Sequence, residues 1–179
     1  MFRVCPIRQV CVVTLAIVAC ASTTRTQEAN SFAKVYIADA DGHVVTHDIG
    51  VVHVVDSSGK DIVPPKEKEQ VGCSDAQLSP DKRTAGWLVS YENCCTSYPI
   101  PLSLVLFRSG QVIQRIAPGQ MVYDWRFWKN DSVAVSDGPT HNPSGPQIRL
   151  YDIQSGKLLK EWYGEYGDKV PVWAAGLRN

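Results

Sequence analysis

The fold is decided by the stretch Cys73-Ser-Asp-Ala-Gln-Leu-Ser-Pro-Asp-Lys-Arg-Thr-Ala-Gly-Trp-Leu88, because the chain repeats its pattern as Val122-Tyr-Asp-Trp-Arg-Phe-Trp-Lys-Asn-Asp-Ser-Val-Ala-Val135. Each copy continues into a closing half with a Ser-Gly turn, Leu106 to Ile116 in the first copy and Leu150 to Trp162 in the second. Corresponding positions lie about 46–49 residues apart, and self-similarity at such a period indicates a repeated sheet unit.

Short runs of β-branched and aromatic residues separated by turn residues continue from Phe32 onward, and this pattern predicts strands joined by tight turns. The uniformly apolar run Leu104 to Phe107 predicts a strand that is buried on both faces. Val54 to Val63 resembles the closing half of both copies, which predicts a partial third unit. Val170 to Trp173 is expected to form a last strand, placed at a sheet edge by Pro171. The expected fold is all-β, with antiparallel sheets from two four-stranded repeats and a partial third.

The pattern Leu78-Ser-Pro-Asp-Lys-Arg-Thr84, followed later by Leu150-Tyr-Asp-Ile-Gln-Ser-Gly-Lys-Leu158, resembles blades of the β-propellers of the Tol-system and WD-repeat types. Neither stretch contains the Gly-His or the Trp-Asp dipeptide of WD repeats, and Lys82 stands where a glycine usually follows Ser-Pro-Asp. A propeller needs about 4 to 8 blades to close. We therefore expect no closed propeller from this chain alone, but either a compact domain of sheets packed face to face or open edges that meet another protein.

The loop Asn93-Cys-Cys-Thr-Ser-Tyr-Pro-Ile-Pro101 is similar to one in short, exported, uncharacterised bacterial proteins. This second resemblance implies no activity.

Residues 1–21 have the pattern of a secretory signal. Arg3 and Arg8 precede an apolar run that is shorter than the roughly 20 residues of a membrane-spanning helix. Ile17-Val-Ala-Cys20 resembles a bacterial lipobox, in which Cys20 would be lipidated, and Ala19-Cys-Ala21 also fits ordinary signal cleavage. Both endings stay open.

The protein is thus expected to be exported, either periplasmic or lipid-anchored in the bacterial envelope. A polar tether is predicted for residues 22–31 and a single all-β domain for residues 32–179.

The charge balance excludes one class of partner. The chain carries 18 basic and 18 acidic side chains, and loss of Arg3 and Arg8 with the signal would leave 16 basic against 18 acidic. No basic stripe remains of the kind that nucleic-acid-binding proteins use. We expect no nucleic-acid partner, and contact with a membrane only through a lipid on Cys20.

Cys73, Cys94 and Cys95 are the cysteines expected in the folded domain. An oxidising compartment favours disulfides, and adjacent cysteines pair only through a strained ring. The sequence therefore predicts that Cys73 bonds with Cys94 or Cys95. The spacings that zinc sites and thioredoxin-like sites need are absent. A redox site in the Cys94–Cys95 loop remains the alternative to a structural disulfide.

Histidines give a weak indication of a metal site. His43 and His47 lie four residues apart and would face the same way on a straight strand. Together with His53 on a neighbouring strand they would supply part of a site, but histidine is also common on the surface of hairpins. We predict no metal and no other cofactor.

In Trp125-Arg-Phe-Trp128 the first and third residues share one face of a strand, and Arg126 shares the other face with Trp128. Aromatic residues on strands are most often core residues. The alternative is a sugar- or peptide-binding face made of Arg126 and Trp128, with help from Trp87 or Tyr98.

Familiar catalytic patterns are missing, among them Gly-x-Ser-x-Gly, His-Glu-x-x-His and a glycine-rich phosphate loop. The function expected is that of an exported or lipid-anchored β-repeat module that binds a protein or envelope component without catalysis. The partner expected is another envelope protein, or a second copy through a sheet edge. Two alternatives stay open: a thiol-redox or other enzyme with its site at the Cys94–Cys95 loop, and a structural fragment without a ligand.

Overall fold

The computed structural model describes residues 31–45, 49–94, 97–139, 147–164 and 169–177. Within these ranges the chain forms twelve strands in three four-stranded antiparallel sheets. None of these sheets is closed into a barrel. The all-β expectation is confirmed. A search of the described residues for a helix long and apolar enough to cross a bilayer finds none.

Sheet A comes from the first third of the chain. Its strands are β1 (Phe32–Ala38), β2 (Val44–Val45), β3 (Val51–Asp56) and β4 (Asp61–Ile62), in the spatial order β2-β1-β3-β4. The hairpin of β3 and β4 turns where Asp56 Oδ1 accepts hydrogen bonds from the backbone amides of Ser58 and Lys60, at 2.8 and 3.0 Å. This hairpin confirms the partial third unit that the sequence predicts.

Sheets B and C are the two copies of the repeat, and in each the strands pair in chain order. Sheet B contains β5 (Gln70–Leu78), β6 (Thr84–Tyr91), β7 (Ile100–Arg108) and β8 (Gln111–Ile116). Sheet C contains β9 (Met121–Trp128), β10 (Ser132–Gly138), β11 (Gln147–Asp152) and β12 (Leu158–Trp162). Sheet A departs from this order. Its first strand, β1, lies inside the sheet, and β2 occupies the edge position that the first strand has in sheets B and C.

The three sheets stack face to face in a propeller-like arrangement, with sheet B in the middle. Two apolar cores hold the stack together, one between sheets A and B and one between sheets B and C. Strand β7 contributes to both, since Val105 and Phe107 join the first core while Leu104 and Leu106 join the second. All four are at most 1% exposed, as the apolar run Leu104 to Phe107 predicts.

The C-terminal segment corrects one expectation. Residues 172–176 form turns rather than the strand expected from Val170 to Trp173, and the carbonyl of Pro171 accepts hydrogen bonds from the amides of Ala174 and Ala175, both at 2.9 Å. The physical reason is burial. A strand would alternate its side chains between two faces, whereas these turns direct Trp173, Ala174 and Leu177 together onto the apolar outer face of sheet C.

The strands run between two differently built ends of the stack. At one end, which we call the turn end, lie the tight turns 57–60, 79–83, 109–110, 129–131 and 153–157. At the other, the loop end, lie the connections 39–43, 63–69 and 117–120 and the described parts of 92–99. The domain begins at the turn end, where the Phe32 amide donates to the Lys82 carbonyl at 2.7 Å and the Ser57 amide donates to the Ser31 carbonyl at 3.0 Å.

Candidate binding surface

Five large apolar side chains at the loop end are exposed around the junction of sheets A and B. We call them the loop-end ridge, and its members are Ile49, Val51, Val63, Val71 and Tyr98. Tyr98 is 78% and Val63 is 55% exposed. Single exposed apolar residues are ordinary, but a contiguous group marks an interaction site.

Contact between sheets A and B gathers the ridge around the junction of the two sheets. Gly50 and Cys73 form an isolated bridge, with backbone hydrogen bonds of 3.0 and 2.7 Å in the two directions. Ile49 packs directly over Gly72, where an added Cβ would lie 1.9 Å from the Ile49 Cγ2. The bridge therefore places the residues that flank Gly50 beside the start of β5.

The two ends of the ridge border two depressions. Val51 and Val63 lie on the rim of a cleft of about 220 Å³ that opens between sheets A and B. Val71 and Tyr98 line a neighbouring hollow together with Glu92. Trp87, which the sequence suggests as a binding residue, lies inside the cleft and is only 3% exposed, so it belongs to the core and offers the cleft an apolar wall.

Hydrogen bonds fix the connection 63–69 beneath the ridge. Glu67 accepts a hydrogen bond from the Tyr91 hydroxyl at 2.6 Å and forms an ion pair with Arg115. Its amide donates to Gln70 Oε1 at 2.9 Å. Burial and the hydrogen bond to Glu67 raise the pKa of Tyr91. A surface held in this way loses little conformational freedom when a partner binds.

The expected disulfide is not formed in the structure. Cys73 is a free cysteine, 1% exposed, and its Sγ accepts a hydrogen bond from Gln70 Nε2 at 3.0 Å. Strand β5 directs this side chain into the core between sheets A and B, whereas Cys94 is exposed in the loop after β6. Cys95 lies outside the described residues. Burial raises the pKa of Cys73 to about 11, so this thiol stays protonated and is a poor nucleophile.

A second cleft, of about 360 Å³, opens at the turn end between sheets B and C. Phe127 and Pro80 supply apolar parts of its lining, Trp128 borders it at the end of β9, and Lys129 and Asn130 stand on its polar rim. The turns 79–83 and 129–131, which are equivalent in the two copies of the repeat, stand on either side of it.

Ion pairs brace this second cleft. Arg108 of sheet B donates two hydrogen bonds to the Asp131 carboxylate, at 2.9 and 2.5 Å, and a third to Thr84 Oγ1 at 2.8 Å. On the other side Asp81 accepts hydrogen bonds from Ser79 and Arg83. Burial acts to raise the pKa of Asp81, but these hydrogen bonds and the charge of Arg83 outweigh it and lower the pKa to about 2. Both carboxylates are thus committed to partners within the protein.

The four predicted binding residues do not form one site. Arg126 and Trp128 share the outer face of sheet C, as the alternation predicts, with the guanidinium 5.0 Å from the centre of the Trp128 ring. However, Arg126 Nη2 donates to the carbonyls of Val172 and Trp173, both at 3.1 Å, so the chain's own C-terminal segment lies against it. Trp87 and Tyr98 lie toward the loop end.

The histidines that the structure describes are next to carboxylates. His43 Nδ1 lies 3.5 Å from Asp39 Oδ2, and His53 Nδ1 lies 2.9 Å from Asp61 Oδ2. The ring of His53 also stacks on Tyr36, with centroids 4.9 Å apart. His47 and His141 lie outside the described residues. The predicted grouping of His43, His47 and His53 therefore stays untested.

A cluster of three charged side chains crosses the inner face of sheet C, and its innermost member is buried. Asp137 on β10 is fully buried and pairs with Arg149 on β11 at 2.5 Å, and Arg149 also pairs with Glu161 on β12 at 2.7 Å. Within the described residues the second carboxylate oxygen of Asp137 has no hydrogen-bond partner. Burial raises the pKa of Asp137 to about 6, although the positive charge of Arg149 acts to lower it.

Sequence reasoning missed most of the ridge. It identified Tyr98, but not the four aliphatic residues, because each reads as an ordinary strand or strand-end residue. The sequence contains one signal of the exposure of Val63, because this residue stands outside the strand and directly before Pro64 and Pro65. The bridge that gathers the other residues joins two sheets and leaves no local pattern in the sequence.

No model of a known protein family matches the chain, and no curated protein matches it.

Proposed function

We propose that the protein is an exported, non-catalytic β-repeat module that binds another protein of the bacterial envelope through its loop end. The observation that carries this proposal is the loop-end ridge, a group of exposed apolar side chains at the junction of sheets A and B, beside a connection that hydrogen bonds hold in place. The predicted signal supports export, and the resemblance to propeller blades agrees with the stacked sheets.

Charge around the ridge indicates the chemistry of the partner. The described connections of the loop end carry five acidic side chains against two basic ones, Lys66 and Lys68. The acidic side chains are Asp39, Asp41, Glu69 and Glu92, together with Glu67, which is already paired with Arg115. A partner that complements this surface presents an apolar segment flanked by basic residues, since complementary charge speeds association and rejects wrong partners.

The start of the domain agrees with this orientation. Residue 31 lies at the turn end, so the predicted tether of residues 22–31 leaves the domain on the side opposite the ridge. A chain held to the envelope by its N-terminus, through a lipid on Cys20 or otherwise, would present the ridge away from its attachment.

Site-specific photo-crosslinking in intact cells tests the proposal. A photoreactive residue at position 63 is expected to yield one discrete adduct with another envelope protein. The matched control is position 159, because Leu159 is similarly exposed (48%, against 55% for Val63) but lies on β12, away from the ridge. The Val71→Asp substitution places a charge in the ridge and is expected to abolish the adduct from position 63.

The other outcomes discriminate among the remaining functions. An adduct of twice the chain's own mass identifies a second copy as the partner. The absence of any adduct from positions 63 and 98, with the protein exported and folded, contradicts the proposal and favours a structural fragment. Cys73 does not support the thiol-redox alternative, because its thiol is buried and protonated. That alternative depends on the Cys94–Cys95 loop alone.

A further inference from the structure

The cleft at the turn end between sheets B and C has the size and the lining of a small-molecule site. Its volume of about 360 Å³ falls in the range of roughly 300–1,000 Å³ that is usual for ligand pockets. Phe127 and Pro80 supply apolar lining, and the buried Ile153 lies beside them. The Phe127 ring makes an edge contact with the Trp125 ring, with centroids 5.2 Å apart. One part of the cleft is therefore a fixed apolar surface.

Ion pairs compensate the two carboxylates that line the cleft. Arg108 Nη2 lies 2.5 Å from Asp131 Oδ1, and Arg83 Nε lies 2.7 Å from Asp81 Oδ2. Lys129 is exposed to water at the rim, where pairing with an anion contributes little. An ion that enters the cleft would lose water without meeting an uncompensated opposite charge, and that desolvation is costly. The cleft therefore favours an uncharged ligand.

The same carboxylates still have acceptor positions, because each carboxylate offers about four lone pairs. Among the described residues, Asp131 accepts two hydrogen bonds from Arg108, and Asp81 accepts three from within its own turn. Asn130 stands on the same rim, and its amide offers both a donor and an acceptor. The rim is thus suited to hydroxyl groups, since a hydroxyl is uncharged and both donates and accepts hydrogen bonds.

We propose that this cleft binds a neutral saccharide unit. A pyranose ring has a face of C–H groups, which fits against the ring of Phe127, and a periphery of hydroxyl groups for the rim. A wholly apolar ligand would displace water from the rim and leave its polar groups without partners. The site lies at the opposite end from the loop-end ridge, and it does not depend on the protein binding proposed there.

An NMR titration of the full chain tests the site. The ¹⁵N-labelled protein is titrated with three neutral disaccharides, namely cellobiose, maltose and N,N′-diacetylchitobiose. We expect at least one of them to shift the backbone amides of the turns 79–83 and 129–131 saturably, with a Kd on the order of 1 mM or below. Cyclohexanol keeps an apolar ring but has a single hydroxyl. It should bind at least about tenfold more weakly, because the rim then lacks hydrogen-bond partners.

Two substitutions in the cleft and one matched control complete the test. Asn130→Gly removes the amide, and glycine tolerates the left-handed backbone at this position (φ 57°). It should raise the Kd at least about threefold. Phe127→Leu removes the flat ring and should raise the Kd about fivefold. Ser109→Gly makes the same kind of change at a left-handed position (φ 52°) in a turn outside the cleft, and it should leave the Kd unchanged.

Several results would overturn the proposal. The first is the absence of saturable shifts at these amides with all three disaccharides, and the second is shifts confined to other parts of the molecule. Equal binding of cyclohexanol, or an unchanged Kd in both cleft variants, would do the same. None of these results bears on crosslinking from position 63, which tests the loop end.

Discussion

Gly86 is the residue that lets sheets B and C approach each other. The ring of Trp125, the largest side chain in the core between them, lies against its Cα, and an added Cβ would meet the Trp125 Cη2 at 2.6 Å and the Leu106 Cδ2 at 3.1 Å. Glycine to alanine in a strand would otherwise be neutral or mildly stabilising. Here overpacking dominates, so Gly86→Ala should lower the free energy of unfolding by about 1–3 kcal/mol, measured by urea denaturation.

A double-mutant cycle with Trp125→Phe isolates the cause. Phenylalanine lacks the distal ring atoms that would touch the new methyl group, so the cost of Gly86→Ala should shrink in that background. An unchanged cost in both backgrounds would show that the backbone, rather than the Trp125 ring, requires glycine at this position.

At the scale of elements, the C-terminal segment protects the outer face of sheet C. Trp173 is 9% exposed and packs with Ala174 and Leu177 against Ile148 and neighbouring side chains. Trp173→Ala should therefore lower the free energy of unfolding by about 3 kcal/mol or more and leave apolar strand surface open to association. Urea denaturation and light scattering measure the two effects.

The neighbouring residue supplies the control for this prediction. Val172 is 75% exposed, and its carbonyl, which accepts the hydrogen bond from Arg126, is unaffected by a change of side chain. Val172→Ala should change stability by less than about 0.5 kcal/mol. If the two substitutions prove equally mild, the segment does not cover the sheet in solution.

The elements also show where sequence reasoning succeeds and fails. Strand β6 runs from Thr84 to Tyr91 and β8 from Gln111 to Ile116, as their β-branched and apolar runs and flanking turns predict. The segment around Trp173 was misassigned because its conformation is decided by the sheet that it covers. The prediction of a disulfide at Cys73 is wrong for a similar reason. The direction of a side chain depends on which face of the sheet is buried, and the spacing of cysteines carries no information about that.

The site was less predictable than the strands. Tyr98 was identified because an aromatic residue in a polar loop is locally conspicuous. The rest of the ridge is assembled by the contact of Gly50 with Cys73 across two sheets, and contacts between distant segments are specified by packing rather than by any one stretch.

For the whole molecule, the buried cluster at Asp137 predicts how stability changes with pH. The folded-state pKa of about 6 is above the ordinary value of 3.8, so the folded state binds a proton more tightly than the unfolded state. The contribution of Asp137 to the free energy of unfolding should then fall as pH rises from about 4 to 6, by at most about 3 kcal/mol. Thermal or urea denaturation across that window measures the slope.

Asp137→Asn is the matching variant, since it keeps the shape of the side chain and removes the titration. Its stability should change less between pH 4 and 6 than that of the unmodified protein. Asp56→Asn is the control, because the hydrogen bond from Ser58 lowers the pKa of that carboxyl and moves its effect below this window. A slope that persists in Asp137→Asn would assign the titration to another group.

The position of β1 determines how the domain carries mechanical load. β1 lies between β2 and β3, and the chain enters it from the turn end, while the ridge lies at the opposite end. A pull between the N-terminus and a partner on the ridge therefore acts along the strands. Such a force shears the β1–β3 ladder, loading its hydrogen bonds from Phe32 to Ala38 together, whereas a pull perpendicular to the strands would break them one after another. The direction in which the chain enters β1 thus makes the load on the domain a shearing one at the end where the domain begins.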